Sequence, residues 1–136
     1  MSDKNENNLS GKKILYVEDD IFFANMLSLK LTNLGCVFKN AANGQEAFLE
    51  LGKEKADIVL LDLMLPGGMD GFEILEKIKA NPDLKKIPVV ILSNLSQTED
   101  IQKGLKLGAS KYLIKAMVST GEIIDNIKSV LGSKKS

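Results

Sequence analysis

Three short apolar blocks restrict this chain's fold more than any other feature: ILYV at 14–17, IVLL at 58–61 and VVIL at 89–92. Each is too short for a core helix and is not broken by polar alternation, so each predicts a strand buried on both faces. Strands of that kind belong to parallel sheets, whose crossover connections are usually helical. The segments 36–39 and 112–114 are more mixed and are read as the outer strands.

Between the blocks the apolar residues change to helical spacing. Ile21, Phe22, Met26 and Leu29 follow Asp20, a good N-cap type, and Gly35 stops the run. Asn43 precedes Ala47, Phe48 and Leu51, with Gly52 after them. Phe72, Leu75 and Ile78 form a third run, closed by Asn81 and Pro82. A fourth extends from near Thr98 through Ile101 and Leu105 to Gly108. The fifth opens at Ser119 with Glu122 three positions on, the spacing of a capping box, and places Ile123, Ile124, Ile127 and Val130 on one stripe.

Alternation of strand and helix five times over predicts an α/β fold, a doubly wound five-stranded parallel sheet with five helices on both faces. Right-handed crossovers limit the strand orders, and the flavodoxin-like order 2-1-3-4-5 is expected. Ligands of such sheets lie beyond the carboxyl ends of the strands. The residues that end the strands therefore decide function.

Composition removes many of the alternatives. The chain has 136 residues, room for one domain of ordinary size. All its basic residues are Lys, and 18 of them balance 18 acidic residues, so there is no electrostatic case for nucleic-acid binding. It has no His, which excludes Ser-His-Asp and Cys-His catalysis, His-ligated zinc and phosphohistidine chemistry on this chain itself. Cys36 is the single cysteine and reads as a small core residue. Residues 1–10 are polar and carry no signal peptide or anchor, and no apolar run elsewhere would span a bilayer. The expectation is a cytoplasmic protein with no membrane or nucleic-acid partner: a disordered tail at 1–11, one domain at 12–131 and a flexible tail at 132–136.

Four strands deliver polar groups to one edge of the sheet. Glu18, Asp19 and Asp20 follow the first, Asp62 the third, Ser93 and Asn94 the fourth, and Lys115 the fifth. Carboxylates of Glu18, Asp19 and Asp62 within ~5 Å of one another would repel by about 3 kcal/mol per pair at an effective dielectric of ~20. A cation has to sit among them. Magnesium suits such an oxygen site, and Lys115 can supply a fixed second positive charge.

In order and placement, Glu18 and Asp19, Asp62 within LDLMLP at 61–66, the MDG at 69–71, Ser93 and Lys115 together resemble the receiver domain of two-component response regulators. The resemblance covers roughly 12–131. It implies that Asp62 accepts a phosphoryl group from a phosphohistidine on a sensor histidine kinase or a histidine phosphotransfer protein. It also implies Mg2+ held by Glu18, Asp19, Asp62 and the Met64 backbone carbonyl, with Ser93 and Lys115 contacting the phosphoryl group. Tyr112 is implied as a rotamer switch, and Met64 and Leu95 as the side chains that tune the lifetime of the phosphoryl group.

Such a domain is a signalling switch of protein–protein interactions and does not turn over external substrate. With no effector following the domain, output is expected to pass through another protein. The alternative is a receiver-like interaction module that is never phosphorylated. Asp20, Asp57 and Asp70 are read as local structure, the first as an N-cap. The chain departs from the family pattern at Gly67-Gly68, at Asn94, where a small residue is usual, and at Ala116, where Pro is usual. A trans Lys115–Ala116 peptide is expected, since cis costs about 2.5–4 kcal/mol before a residue other than Pro.

Overall fold

The apolar blocks form the middle of a parallel sheet, and the mixed segments form its edges. A computed structural model describes residues 9–132. In chain order it contains β1 (Lys13–Val17), α1 (Ile21–Asn33), β2 (Val37–Ala41), α2 (Gly44–Lys53), β3 (Ile58–Leu61), α3 (Gly71–Ala80), β4 (Val89–Ser93), α4 (Thr98–Lys106), β5 (Lys111–Ile114) and α5 (Thr120–Gly132). A 3-10 turn at Lys115–Met117 leads from β5 toward α5. The sheet order is β2-β1-β3-β4-β5 and all four pairings are parallel, as the alternation predicts. Among the described residues no helix is long and apolar enough to cross a membrane.

Each strand feeds two cores because successive side chains point to opposite faces. Leu15, Val17, Val59, Leu61, Val89 and Ile91 pack on one side with residues of α2 and α3. Ile14, Tyr16, Ile58, Leu60, Val90 and Leu92 pack on the other with residues of α1 and α5. Every residue of β3 and β4 is buried, so these two strands hold their final residues rigidly at the carboxyl edge.

The caps follow their residue types. Asp20 accepts from the Phe22 and Phe23 N–H groups, Asn43 from Glu46, and Asp70 and Glu73 form a reciprocal box at the start of α3. Ser119 and Glu122 bond reciprocally at the start of α5. Asp57 Oδ2 accepts the Lys13 N–H at 2.8 Å, which fixes the start of β1. At α4 the N-cap is Gln97, whose side chain caps nothing, and Glu99 and Asp100 meet the helix dipole instead.

The sequence reading is corrected at the edges. β2 runs Val37–Ala41 instead of 36–39, because the Cys36 amide turns back to close α1 on the Leu31 carbonyl at 3.1 Å. The Cys36 thiol is buried, 3.4 Å from the Leu9 carbonyl. Leu9 is itself fully buried, and the Gly11 N–H reaches the Gly35 carbonyl at 2.8 Å, so residues 9–11 belong to the folded body. Gly132 lies within α5 rather than after it. The rest of the two expected tails, 1–8 and 133–136, lies outside the described residues.

Two glycine positions shape the approach to the strand ends. Gly67 and Gly68 have φ of 92° and 83°, so the loop after β3 turns through conformations that favour glycine. A Cβ on Gly71 would overlap the Asp62 carbonyl and Leu63, and its absence lets α3 begin directly against the residue that follows β3.

Candidate functional site

The carboxyl edge gathers groups that are far apart in sequence. Carboxylate oxygens of Glu18, Asp19 and Asp62 lie within 4.8 Å of one another. Glu18 and Asp62 are buried at 1% and 4% exposure, while Asp19 is exposed, so the cluster opens to solvent on one side. The Lys115 Nζ bridges two of the three, 2.5 Å from Glu18 Oε1 and 3.2 Å from Asp62 Oδ2. The Asp20 N–H bonds Glu18 Oε2 at 2.9 Å, and the Tyr16 hydroxyl donates to Glu18 Oε1 at 2.9 Å.

These contacts set the charge state. Burial pushes the Glu18 carboxyl up from its ordinary range, the Lys115 and Asp20 hydrogen bonds pull it down, and the charge of Asp62 pushes it up again, with a net rise. Burial works to lower the Lys115 ammonium, but its bonds to Glu18 and Asp62 and their charges outweigh that effect and raise it. Lys115 therefore stays cationic, one positive charge against three carboxylates. Oxygen donors with a residual negative charge and one open side fit a hard divalent cation that keeps several waters.

The remaining expected site residues stand at or close to the ends of β3, β4 and β5. The Ser93 side chain is fully buried and its Oγ accepts the Leu95 N–H at 3.3 Å. The Met64 N–H donates to Asp62 Oδ1 at 3.2 Å, and its side chain is 51% exposed. Leu95 is half-buried. The Tyr112 hydroxyl donates to the Leu95 carbonyl at 2.6 Å, which ties it to the segment after β4 and not to the Ser93 hydroxyl. Burial, with Asp100 and Asp62 nearby, pushes the Tyr112 phenol up to about 12. Asp20 serves as the cap of α1, as its position suggested. The Lys115–Ala116 peptide is trans, since no peptide among the described residues is cis.

Sequence reasoning missed two groups here. Tyr16 reads as one more apolar residue of β1, yet it stands two positions before Glu18 on the same strand face, and that spacing was the available signal. Phe23 lies with its ring centroid 5.0 Å from the Lys115 Nζ, a cation–π contact that no spacing announces. Among the described residues no buried side-chain nitrogen or oxygen lacks a partner, so the network is closed.

Comparison with known proteins agrees with this geometry. The sequence model described as the response regulator receiver domain matches residues 14–128. The transcriptional regulatory protein AfsQ1 of Streptomyces coelicolor is 34% identical over 119 residues, which are 87% of this chain and 50% of that protein. The receiver domain of the Francisella response regulator 1452 superposes with a TM-score of 0.83 at 30% identity, covering 92% of this chain and 100% of that one. The phosphorylated cyanobacterial phytochrome response regulator RcpA gives 0.75 at 32% identity, covering 89% of this chain and 91% of that one. The chain spans about half the length of the curated relatives it matches. Strand order, the acidic edge bridged by a lysine and the matched family lead to one conclusion: the chain belongs to the response regulator receiver domain family.

Proposed function

We propose that the chain accepts a phosphoryl group on Asp62 from a phosphohistidine of a sensor histidine kinase or histidine phosphotransfer protein, and thereby switches its contacts with another protein. The observation that carries this reading is Lys115, held between Glu18 and Asp62 at the edge where three carboxylates meet. In the transfer the P–N bond of the donor breaks, a P–O bond forms to the Asp62 carboxylate, and the donor imidazole leaves neutral once the transferring ring is protonated. Catalysis of such a step is mostly alignment and neutralisation of charge on the phosphoryl oxygens.

The chain's own residues divide that work. β3 and the close start of α3 hold Asp62 still, and the Met64 N–H orients one of its oxygens. Lys115 supplies a fixed positive charge, and the buried Ser93 hydroxyl a rotatable donor. Magnesium held by Glu18, Asp19, Asp62 and the Met64 carbonyl would supply the rest of the neutralisation. Tyr112 would report the state of the segment after β4 through its bond to Leu95. The phosphorylated state described for RcpA, 32% identical, supports this reading.

The domain so read is a cytoplasmic signalling switch without external turnover. The balanced charge and the absence of Arg speak against direct nucleic-acid contact by this chain. Transcriptional regulation is the printed role of AfsQ1, half of which this chain matches. The test is incubation with a small acyl phosphate followed by intact mass measurement. A gain of one phosphoryl group with magnesium, and none after chelation, is the expected result. No gain under either condition favours an interaction module that is never phosphorylated.

A further inference from the structure

We propose that Tyr16 is a positioning residue for Glu18, its phenol being the donor that holds this carboxylate when Lys115 leaves it for a phosphoryl group on Asp62. The proposal rests on the phosphoacceptor reading above and deepens it.

The argument begins with the donors on Glu18. Its Oε1 accepts from the Lys115 Nζ and the Tyr16 hydroxyl, and its Oε2 from the Asp20 N–H. At 1% exposure, water has little room to replace a lost donor. Lys115 is shared, closer to Glu18 at 2.5 Å than to Asp62 at 3.2 Å. A lysine that serves a phosphoryl group on Asp62 has to move toward it, and its bond to Glu18 then lengthens or breaks. Magnesium held by Glu18 would offset part of its charge, but without another donor Oε1 would still lose the hydrogen bond that orients it, a costly loss for a buried carboxylate oxygen. Tyr16 prevents that.

The phenol is built to stay. Tyr16 is fully buried, with the rings of Phe23 and Phe38 each centred 6.4 Å from its own. Its neighbours on that sheet face, Ile14, Ile58, Leu60 and Val90, are aliphatic, so packing explains a large apolar side chain there but not a hydroxyl. The hydroxyl is accounted for by Glu18. Phe23 joins the two ends of the device, since its ring meets Tyr16 edge-on and also lies under the Lys115 ammonium.

The experiment compares wild type, Tyr16→Phe, Glu18→Gln and the double variant at saturating magnesium. It reads the maximal labelling rate from acetyl phosphate, the half-saturating donor concentration, and the affinity for beryllofluoride, a phosphoryl mimic that requires no transfer. Tyr16→Phe should lower the maximal rate and weaken beryllofluoride binding, each by about tenfold, the scale of a hydrogen bond to a charged group. Half-saturation should stay within about twofold. In the Glu18→Gln background, adding Tyr16→Phe should change the rate by less than about twofold, because the residue acts through Glu18. In wild type, beryllofluoride should shift the Tyr16 Cζ resonance, a readout independent of any variant's folding. An unshifted resonance, wild-type behaviour of Tyr16→Phe, or an equal loss in both backgrounds overturns the proposal. A wild type that binds beryllofluoride with the shift but never labels overturns the transfer reading and leaves the Tyr16 contact supported.

Discussion

Asn94 and Ala116 are joined across two loops: the Ala116 N–H donates to Asn94 Oδ1 at 2.8 Å, although 22 positions separate them. These are the positions where the family resemblance implied a small residue and a proline, and the contact needs the residues present instead. A proline at 116 would have no N–H to give, and a small residue at 94 would have no acceptor. The Asn94 side chain is thus engaged with the neighbouring loop. It ties the segment that follows Ser93 to the segment that follows Lys115.

Asn94→Ala should cost about 1 kcal/mol, the net value of an exposed hydrogen bond, and should speed amide exchange at Ala116. Ala116→Pro should cost less in the Asn94→Ala background than alone. Equal costs in both backgrounds would show that the contact is not a coupling.

Removing a carboxylate from the cluster should help folding when no divalent cation is present. Asp19 is exposed and lies within 4.8 Å of two other carboxylates, so screening leaves about 1 kcal/mol of repulsion to relieve. Asp19→Asn should therefore raise the urea midpoint in a chelating buffer. Millimolar magnesium should stabilise the wild type and leave the variant little changed, because a ligand that binds only the folded state stabilises in proportion to its occupancy. A variant stabilised equally by magnesium would remove Asp19 from the metal site.

Alkaline pH should expose the two tyrosines. Burial first, with nearby carboxylates adding to it, holds the Tyr112 phenol up to about 12, and burial and Glu18 push Tyr16 higher still. A group whose folded pKa is raised contributes stability that is present below its unfolded value, near 10, and is lost as pH rises toward the folded value. Absorbance at 295 nm should show no phenolate step near pH 10 in the native protein, with ionisation and loss of far-UV circular dichroism arriving together above it. A free step at pH 10 would contradict the burial of both hydroxyls.

Much of this was legible in the sequence. Buried parallel strands leave a sharp signature of short apolar blocks, and the residues just past 17, 61 and 92 are where a doubly wound sheet presents its ligands. Glu18, Asp62 and Lys115 were placed on that rule and meet at that edge, and Ser93 is the last residue of β4. Edge strands were less legible, since β2 is mostly exposed and its bounds depend on where Leu9 and Cys36 pack. Tyr16 to Glu18 was signalled only by their two-residue spacing, while Phe23 to Lys115 and Asn94 to Ala116 depend on distant elements meeting in space, which composition and period do not encode.

The phosphoryl group on Asp62 should persist for minutes or more. Hydrolysis needs a water in line with the aspartyl phosphate, and Met64 and Leu95, two positions past Asp62 and Ser93, offer such a water no hydrogen-bonding side chain. Leu95 is anchored by Tyr112 through its carbonyl, and Met64 is 51% exposed. The double change Met64→Asn with Leu95→Glu should speed loss by about tenfold, or about 1.4 kcal/mol in the barrier. Loss within seconds in wild type, or no acceleration in the double variant, would show that these side chains do not set the lifetime.

The central claim is tested most directly by locating the phosphoryl group. After labelling with acetyl phosphate and magnesium, borohydride reduces an aspartyl phosphate to homoserine, and peptide mass spectrometry then reads the modified position. The account predicts homoserine at 62 and nowhere else, and none in Asp62→Asn. Homoserine at Asp19 or another carboxylate in the wild type, or labelling of Asp62→Asn at an undiminished rate, would contradict it.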